Sequence, residues 1–444
     1  MIKKILIANR GEIAARIIRT CKKMNIQTVA VFSEADEFAP YVKMADESYL
    51  LGPSRVNESY MNMEKILHIA KDADVCAIHP GYGFLSENSE FAKKCKEENI
   101  IFIGPSATII EKMGNKIAAR NLMKQAGVPV IPGTEGAVKT IEEAKEAVKN
   151  IGYPLMLKAS LGGGGVGLQN VNNEAELEKT FDNNAKRAES LFGDGSMFLE
   201  KLLENARHVE VQVLADEYGN AIHLFERECS IQRRNQKVME EAPAYALSEK
   251  TRTLMGEVSV KAIKELGYTN VGTIEFLVDK DEQFYFLEMN TRIQVEHPIT
   301  EEITGIDLVE QQINIASGKQ LNISQSDIIT NGHAIEARIY AEDPNTFFPS
   351  PGKITLYEEP VEKYIRIESS VRKDSNVTPF YDPMISKLIV TGESREEAIS
   401  RLKDALLNYK IEGIKTNIPM LLNVINHEQF KYGNTPTNFV RKYL

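Results

Sequence analysis

Short apolar runs alternate with amphipathic segments over the first hundred residues, and few folds accommodate that order. Residues 4–8, 28–32, 73–78 and 100–103 are apolar and of strand length, while 13–23 carries helical spacing. Strands separated by helices read as βαβ units, hence a parallel sheet with helices on its faces. A dinucleotide-binding sheet of this kind needs a G-x-G-x-x-G turn after its first strand. Here that turn reads Asn9-Arg10-Gly11-Glu12-Ile13-Ala14-Ala15, so an NAD-dependent oxidoreductase is disfavoured.

Further along, the chain changes character. Helical patterns at 112–127 and 142–150 flank a break at 128–133. Strand patterns follow at 155–159, 166–171, 197–201 and 209–214, then a helix at 251–266 and a hairpin of 271–278 with 284–290. A third region opens after Gly332. A length of 444 residues suits roughly two to four domains. The formal net charge of −10 argues against general nucleic-acid or anionic-membrane binding. No apolar run approaches the ~18 residues of a membrane span. The short N-terminal apolar run leads to Asn9-Arg10 without a cleavage-like site. Cys21, Cys76, Cys95 and Cys229 are scattered without C-x-x-C spacing, and the seven histidines show no ligand pairing. A reduced, cytoplasmic setting without zinc is expected.

Three stretches carry chemistry. The first, "KASLGGGGVGL" at 158–168, joins two strands through four glycines and places Lys158 just before them. It fits a flexible hairpin tip or a cradle of backbone N–H groups for an anion. It is not a Walker loop, because no Lys-Ser/Thr follows. The second is the hairpin. With a two-residue loop at Asp281-Glu282, Glu275 falls opposite Glu288 between apolar neighbours. Like charges in that position are destabilising, and a hard divalent cation would relieve them. Asn290 points the same way and adds an oxygen; solvated carboxylates on an edge remain the alternative. Polar side chains continue at every second position through Arg292, Gln294 and Glu296. The third, "QRRNQK" at 232–237, is either a solvated face or an anion pocket.

These stretches, with "KILIANRGEIAARIIR" at 4–19, "AIHPGYGFLSEN" at 77–88, "IQRRNQKVMEEAP" at 231–243, "FLEMNTRIQVEHPITE" at 286–301, "GHAIEARIYAEDP" at 332–344 and "YDPMISKLI" at 381–389, resemble the biotin carboxylase family of ATP-grasp enzymes. The resemblance covers essentially the whole chain. It implies an α/β and α+β architecture: a parallel α/β preATP-grasp domain over 1–112, an ATP-grasp domain over 113–330 with a mobile lid over about 131–203, and a C-terminal domain over 331–444. It also implies ATP-dependent carboxylation of biotin by bicarbonate through carboxyphosphate. That would be the first half-reaction of an acetyl-CoA or acyl-CoA carboxylase, leading to malonyl-CoA and fatty acid biosynthesis.

Carried over by position, the resemblance assigns ATP contacts to Lys116, Lys158, Gly164, Gly165, Glu200, Lys201, Leu203, His208, Asn235, Glu275 and Glu288. It assigns Mg²⁺ or Mn²⁺ to Glu275, Glu288 and Asn290, and bicarbonate to Lys237, Arg292, Gln294 and Val295. Glu296 is the implied general base and Arg338 the stabiliser of the biotin enolate, unless Arg338 pairs with Glu336 or Glu342. Val166, Gln169 and Asn235 depart from the commonest family pattern by removing basic or imidazole groups near the triphosphate. The best match to a biotinylated Met-Lys-Met hairpin is Val42-Lys43-Met44, and the chain stops at Leu444. Biotin is therefore expected on a separate carrier protein, with a carboxyltransferase on another subunit and a homodimer as the family's common state. Another ATP-grasp ligase, or a non-catalytic ATP-binding subunit, is the competing reading.

Overall fold

The computed structural model describes residues 2–160 and 168–444. Gly164, Gly165 and Val166 lie outside the described residues. The N-terminal alternation folds as expected into a parallel sheet, in the order Glu47–Gly52, Gln27–Ser33, Lys4–Ile7, Ala77–His79, Ile101–Phe102. The edge strand Glu47–Gly52 escaped the sequence reading: its apolar run is only Tyr49-Leu50-Leu51, and most of its side chains are exposed or half-buried. Beyond the first strand, Gly11 adopts φ +65°, a left-handed turn that starts helix Gly11–Lys23. Asn9 donates from Nδ2 to the carbonyls of Pro80 at 2.7 Å and Tyr82 at 2.8 Å, tying the 80–88 loop to the carboxyl end of the sheet. Ligand sites of open parallel sheets lie at that end.

The pattern at 112–127 is two helices rather than one. Ala107–Gly114 and Lys116–Gln125 are separated by Asn115, whose extended backbone and side-chain Oδ1, accepting from Ala118 N at 2.9 Å, begin a new helix. Asparagine competes for this capping role better than for a helix interior. Lys116 is thereby placed on a first helical turn.

Residues 131–203 hold a core of their own. Leu168–Val171, Leu155–Ala159 and Met197–Lys201 form an antiparallel sheet in that order. Helices Ile141–Ile151 and Glu174–Phe192 contribute Ala144, Leu177 and Phe181 to a cluster with Leu155, Leu157, Val171 and Leu199.

The largest sheet has eight strands: Phe284–Asn290, Asn270–Val278, Arg207–Ala215, Ala221–Arg233, Gln236–Ala242, His333–Tyr340, Met384–Gly392 and Ile365–Ser369. It runs without interruption past residue 331. Ile231, Val238 and Met239 pack into one cluster with Ile335, Ile339, Leu388 and Val390. No helix among the described residues is long and apolar enough to cross a membrane.

Candidate active site

The expected hairpin is present, and Glu275 pairs directly with Glu288. The loop differs from the expectation. Val278 pairs with Phe284, which leaves five loop residues, 279–283, closed by Asp279 N to Gln283 O at 2.9 Å. A register shift between Glu275 and Phe276 absorbs the difference. The two carboxylates therefore meet for a reason the loop estimate did not contain. The strand also ends at Asn290, so Arg292, Gln294 and Glu296 lie on an irregular segment before helix His297–Thr304. The true polar row crosses the sheet. Glu288, Glu275, Glu210 and Arg227 are successive cross-strand partners, and such partners share a face.

That row is neutralised from two sides. Arg227 is fully buried and uses all five of its N–H groups. It bonds Glu210 at 2.6 Å, Gln212 at 2.7 Å, Thr300 at 2.9 Å, Thr273 at 3.3 Å and Gln294 Oε1 at 2.7 Å. Held this way, Gln294 turns its amide nitrogen to Glu275 at 2.7 Å. Lys237 Nζ lies 2.6 Å from Glu210, 2.9 Å from Glu275 and 2.7 Å from Glu296. Burial works to lower its pKa, but the three carboxylates hold it well above the usual lysine value. His208, Glu210 and Glu275 approach closely enough to share a metal ion, yet the Lys237 ammonium already serves the last two.

Glu296 joins this cluster to a second cation. Its Oε1 accepts from Lys237, and its Oε2 from Arg338 Nη2 at 2.9 Å. Burial works to raise its pKa, but Lys237, Arg338 and Arg227 hold it well below the usual carboxylate range. Arg338 also lies 2.7 Å from Glu240. It does not pair with Glu336 or Glu342; Glu342 instead takes Arg233 at 2.6 Å. Glu288 stands apart: no side chain among the described residues hydrogen-bonds its carboxylate. Burial and the facing Glu275 charge raise its pKa, and Lys116 opposes them. A half-buried carboxylate in that position fits a divalent cation. The Asn290 amide is already engaged, its Nδ2 donating to Glu275 at 2.8 Å and its Oδ1 accepting from Arg292 at 2.9 Å.

All of the expected site residues that are described line one cavity of about 460 Å³: Lys116, Lys158, Glu200, Lys201, Leu203, His208, Asn235, Lys237, Glu275, Glu288, Asn290, Arg292, Gln294, Val295, Glu296 and Arg338. Its walls combine the apolar side chains of Ile131, Met156, Leu203, Leu277 and Leu287 with the charged cluster. Lys158 pairs with Glu200, and Lys201 donates to Tyr153 O at 2.7 Å. A second cavity of about 470 Å³ shares Arg292, Val295, Arg338, Tyr340 and Asp382 with the first and is walled by Tyr82, Phe84, Phe380 and Tyr381. Arg292 is clamped by Glu87 at 2.9 Å, from the 80–88 loop. The sequence reading missed Arg227, Glu210, Glu240, Glu87 and Tyr82. Tyr82 and Glu87 lie in the "AIHPGYGFLSEN" block and Glu240 in "IQRRNQKVMEEAP", but no role was read for them.

The "QRRNQK" stretch is not one anion pocket. Arg234 and Asn235 form a two-residue hairpin tip with φ +51° and +65° between strands Ala221–Arg233 and Gln236–Ala242. Asparagine suits such a left-handed position better than most residues, which gives Asn235 a local reason independent of any ligand. Its side chain still reaches the cavity. Replacing Asn235 by His is expected to change the Michaelis constant for ATP, and unchanged KM and kcat would dismiss the idea.

Comparison with known proteins agrees with this arrangement. Residues 1–110 match the family described as "Biotin carboxylase, N-terminal domain", 115–324 "Carbamoyl-phosphate synthase L chain, ATP binding domain", and 336–442 "Biotin carboxylase C-terminal domain". The chain is 60% identical to biotin carboxylase 2 of Bacillus subtilis over 100% of both chains. It superposes with TM-score 0.98 on a biotin carboxylase–βγ-ATP complex from Campylobacter jejuni, at 50% identity and covering 100% of this chain and 99% of that one. The biotin carboxylase domain dimer of the Hydrogenobacter thermophilus 2-oxoglutarate carboxylase, in complex with MgADP, ADP and bicarbonate, gives TM-score 0.96 at 50% identity, covering 100% and 98%.

Proposed function

The chain belongs to the biotin carboxylase family of ATP-dependent ligases, and we propose that it carboxylates biotin on a separate carrier protein, using ATP and bicarbonate. The observation that carries this reading is the junction of two cavities at Arg338, with Lys237, Arg292 and Glu296 on the first and Tyr82 on the second. ATP occupies the first, its base against the apolar side chains and its phosphates toward Lys116, Lys158 and His208. Bicarbonate lies between Arg292, Lys237, Gln294 and the Val295 backbone, where cations fix the orientation of a poor nucleophile. Glu296 takes its proton. Protonation weakens the hold of Glu296 on Lys237 and Arg338, freeing positive charge for the carboxyphosphate formed and then for the biotin enolate.

Glu275 and Glu288 would hold Mg²⁺ or Mn²⁺, with Asn290 bracing both Glu275 and Arg292. The metal supplies charge neutralisation on the phosphates. Glu288→Gln is expected to raise the melting temperature in EDTA at about pH 8, removing a like-charge opposition worth roughly 0.2–1 kcal/mol. The sign follows from the raised pKa of Glu288. Its charged form costs stability above that value, and the gain shrinks below it, where the native carboxyl already holds a proton. The same variant loses metal-dependent ATP hydrolysis; an unchanged melting temperature with full activity would reject both halves.

Lys43, the nearest match to a biotinylated lysine, sits on the short helix Pro40–Met44 rather than a hairpin, which supports a separate carrier. The acyl acceptor, acetyl-CoA in the first reading, is set by the transferase partner. A homodimer is part of the proposal, to be measured by sedimentation. The test of function is ATP hydrolysis that requires bicarbonate and rises with free biotin. Hydrolysis indifferent to bicarbonate, or driven by an amine, would favour another ATP-grasp ligase.

A further inference from the structure

Lys387 is fully buried within strand Met384–Gly392, directly across from Arg338 on one side and Glu368 on the other. Two cations facing each other inside a sheet are unfavourable, and a buried ammonium needs partners of its own. Lys387 Nζ donates to the carbonyl of Val295 at 2.7 Å and lies 3.2 Å from Glu12 Oε2. Glu12 in turn accepts the hydroxyl of Tyr82. Val295 stands between Gln294 and Glu296 and lines both cavities.

The sheet does not hold this segment, because the strand ends at Asn290. Side chains hold two of its backbone carbonyls, alongside weak backbone bonds from His297 N to Gln294 O and Ile299 N to Glu296 O, both 3.3 Å. The His297 ring meets Gln294 O at 2.7 Å, and Lys387 holds Val295 O. We propose that Lys387 is a positioning residue for the reaction: by anchoring the Val295 carbonyl it sets the backbone that presents Gln294, Val295 and Glu296 to bicarbonate. Glu12, on the first turn of helix Gly11–Lys23, offsets the Lys387 charge and so couples the N-terminal layer to the site. The inference rests on the proposed function and names how its bicarbonate pocket is held. A Lys387 that merely stapled layers together would serve ATP and bicarbonate alike.

The test is steady-state kinetics on the full chain with Lys387→Met and Glu12→Gln, each accompanied by a melting temperature. Lys387→Met is expected to lower kcat/KM for bicarbonate by about 10²-fold, with KM for ATP changed less than about twofold. Glu12→Gln keeps an acceptor for Tyr82 and is expected to shift the same parameter by about tenfold. It decides the matter if Lys387→Met does not fold. Parallel losses for both substrates, or a lower melting temperature with unchanged kinetic constants, would overturn the proposal. Wild-type protein without bicarbonate-dependent turnover would overturn the functional reading, and this one with it.

Discussion

Glu296→Gln is expected to lower bicarbonate-dependent ATP hydrolysis by about 10²–10⁴-fold, the range for loss of a positioned general base. The geometry makes the effect specific. Among the described residues Glu296 is the one carboxylate that touches both Lys237 and Arg338, and it lies in the cavity beside Gln294 and Val295. Its depressed pKa, held against burial by Lys237, Arg338 and Arg227, keeps it ionised throughout the neutral range. The stability this charge contributes is fully present above the unfolded value of about 4.5 and is lost as pH falls toward the depressed one. The glutamine variant should therefore show a weaker decline in stability below about pH 4.5 than the parent. Its fold should persist, because Lys237 keeps Glu210 and Glu275 while Arg338 keeps Glu240. The expected pattern is a collapse of kcat with KM for ATP nearly unchanged. Activity within about tenfold of the parent would remove Glu296 from the role of base.

Lys237→Met has the largest combined effect expected here. One ammonium offsets three carboxylates, of which Glu210 is completely buried and Glu275 and Glu296 nearly so. Removing one partner of a buried ionic cluster leaves uncompensated charge and costs about 3–5 kcal/mol. The loss of stability should be largest at neutral pH and smaller in acid, where the stranded carboxylates take up protons. Denaturant unfolding across that range checks the sign, and equal losses at all pH values would show that charge is not the cause. Activity should fall with it, since bicarbonate loses a cation and Glu296 an anchor.

Much of this was legible from local pattern, and the exceptions have physical causes. The parallel sheet was read from strand–helix alternation, except for Glu47–Gly52, a half-exposed edge strand with only a three-residue apolar run. Glu275 and Glu288 were singled out because two acids stood inside an aromatic, apolar hairpin. Their pairing holds although the loop has five residues, because a register shift compensates for it. The period-two polar row from Glu288 to Glu296 does not mark one strand: polar alternation continues past the strand end at Asn290, and alternation does not reveal where pairing stops. Arg227, Glu210, Lys387 and Glu12 were invisible for a different reason. Nothing in the local pattern sets these charged residues apart, and each acquires meaning only through partners distant in sequence. Lys387 meets Glu12, and Arg227 meets Gln294 and Thr300, through tertiary packing alone.

The central claim is that this site activates bicarbonate by phosphorylating it. Turnover with ¹⁸O-labelled bicarbonate, followed by mass analysis of the inorganic phosphate, tests that directly. Attack by a bicarbonate oxygen on the γ-phosphoryl group transfers a labelled oxygen to the phosphate, and the account predicts that it appears there in a biotin-dependent reaction. Phosphate that carries only solvent oxygen, while ATP is consumed at the same rate, would contradict it.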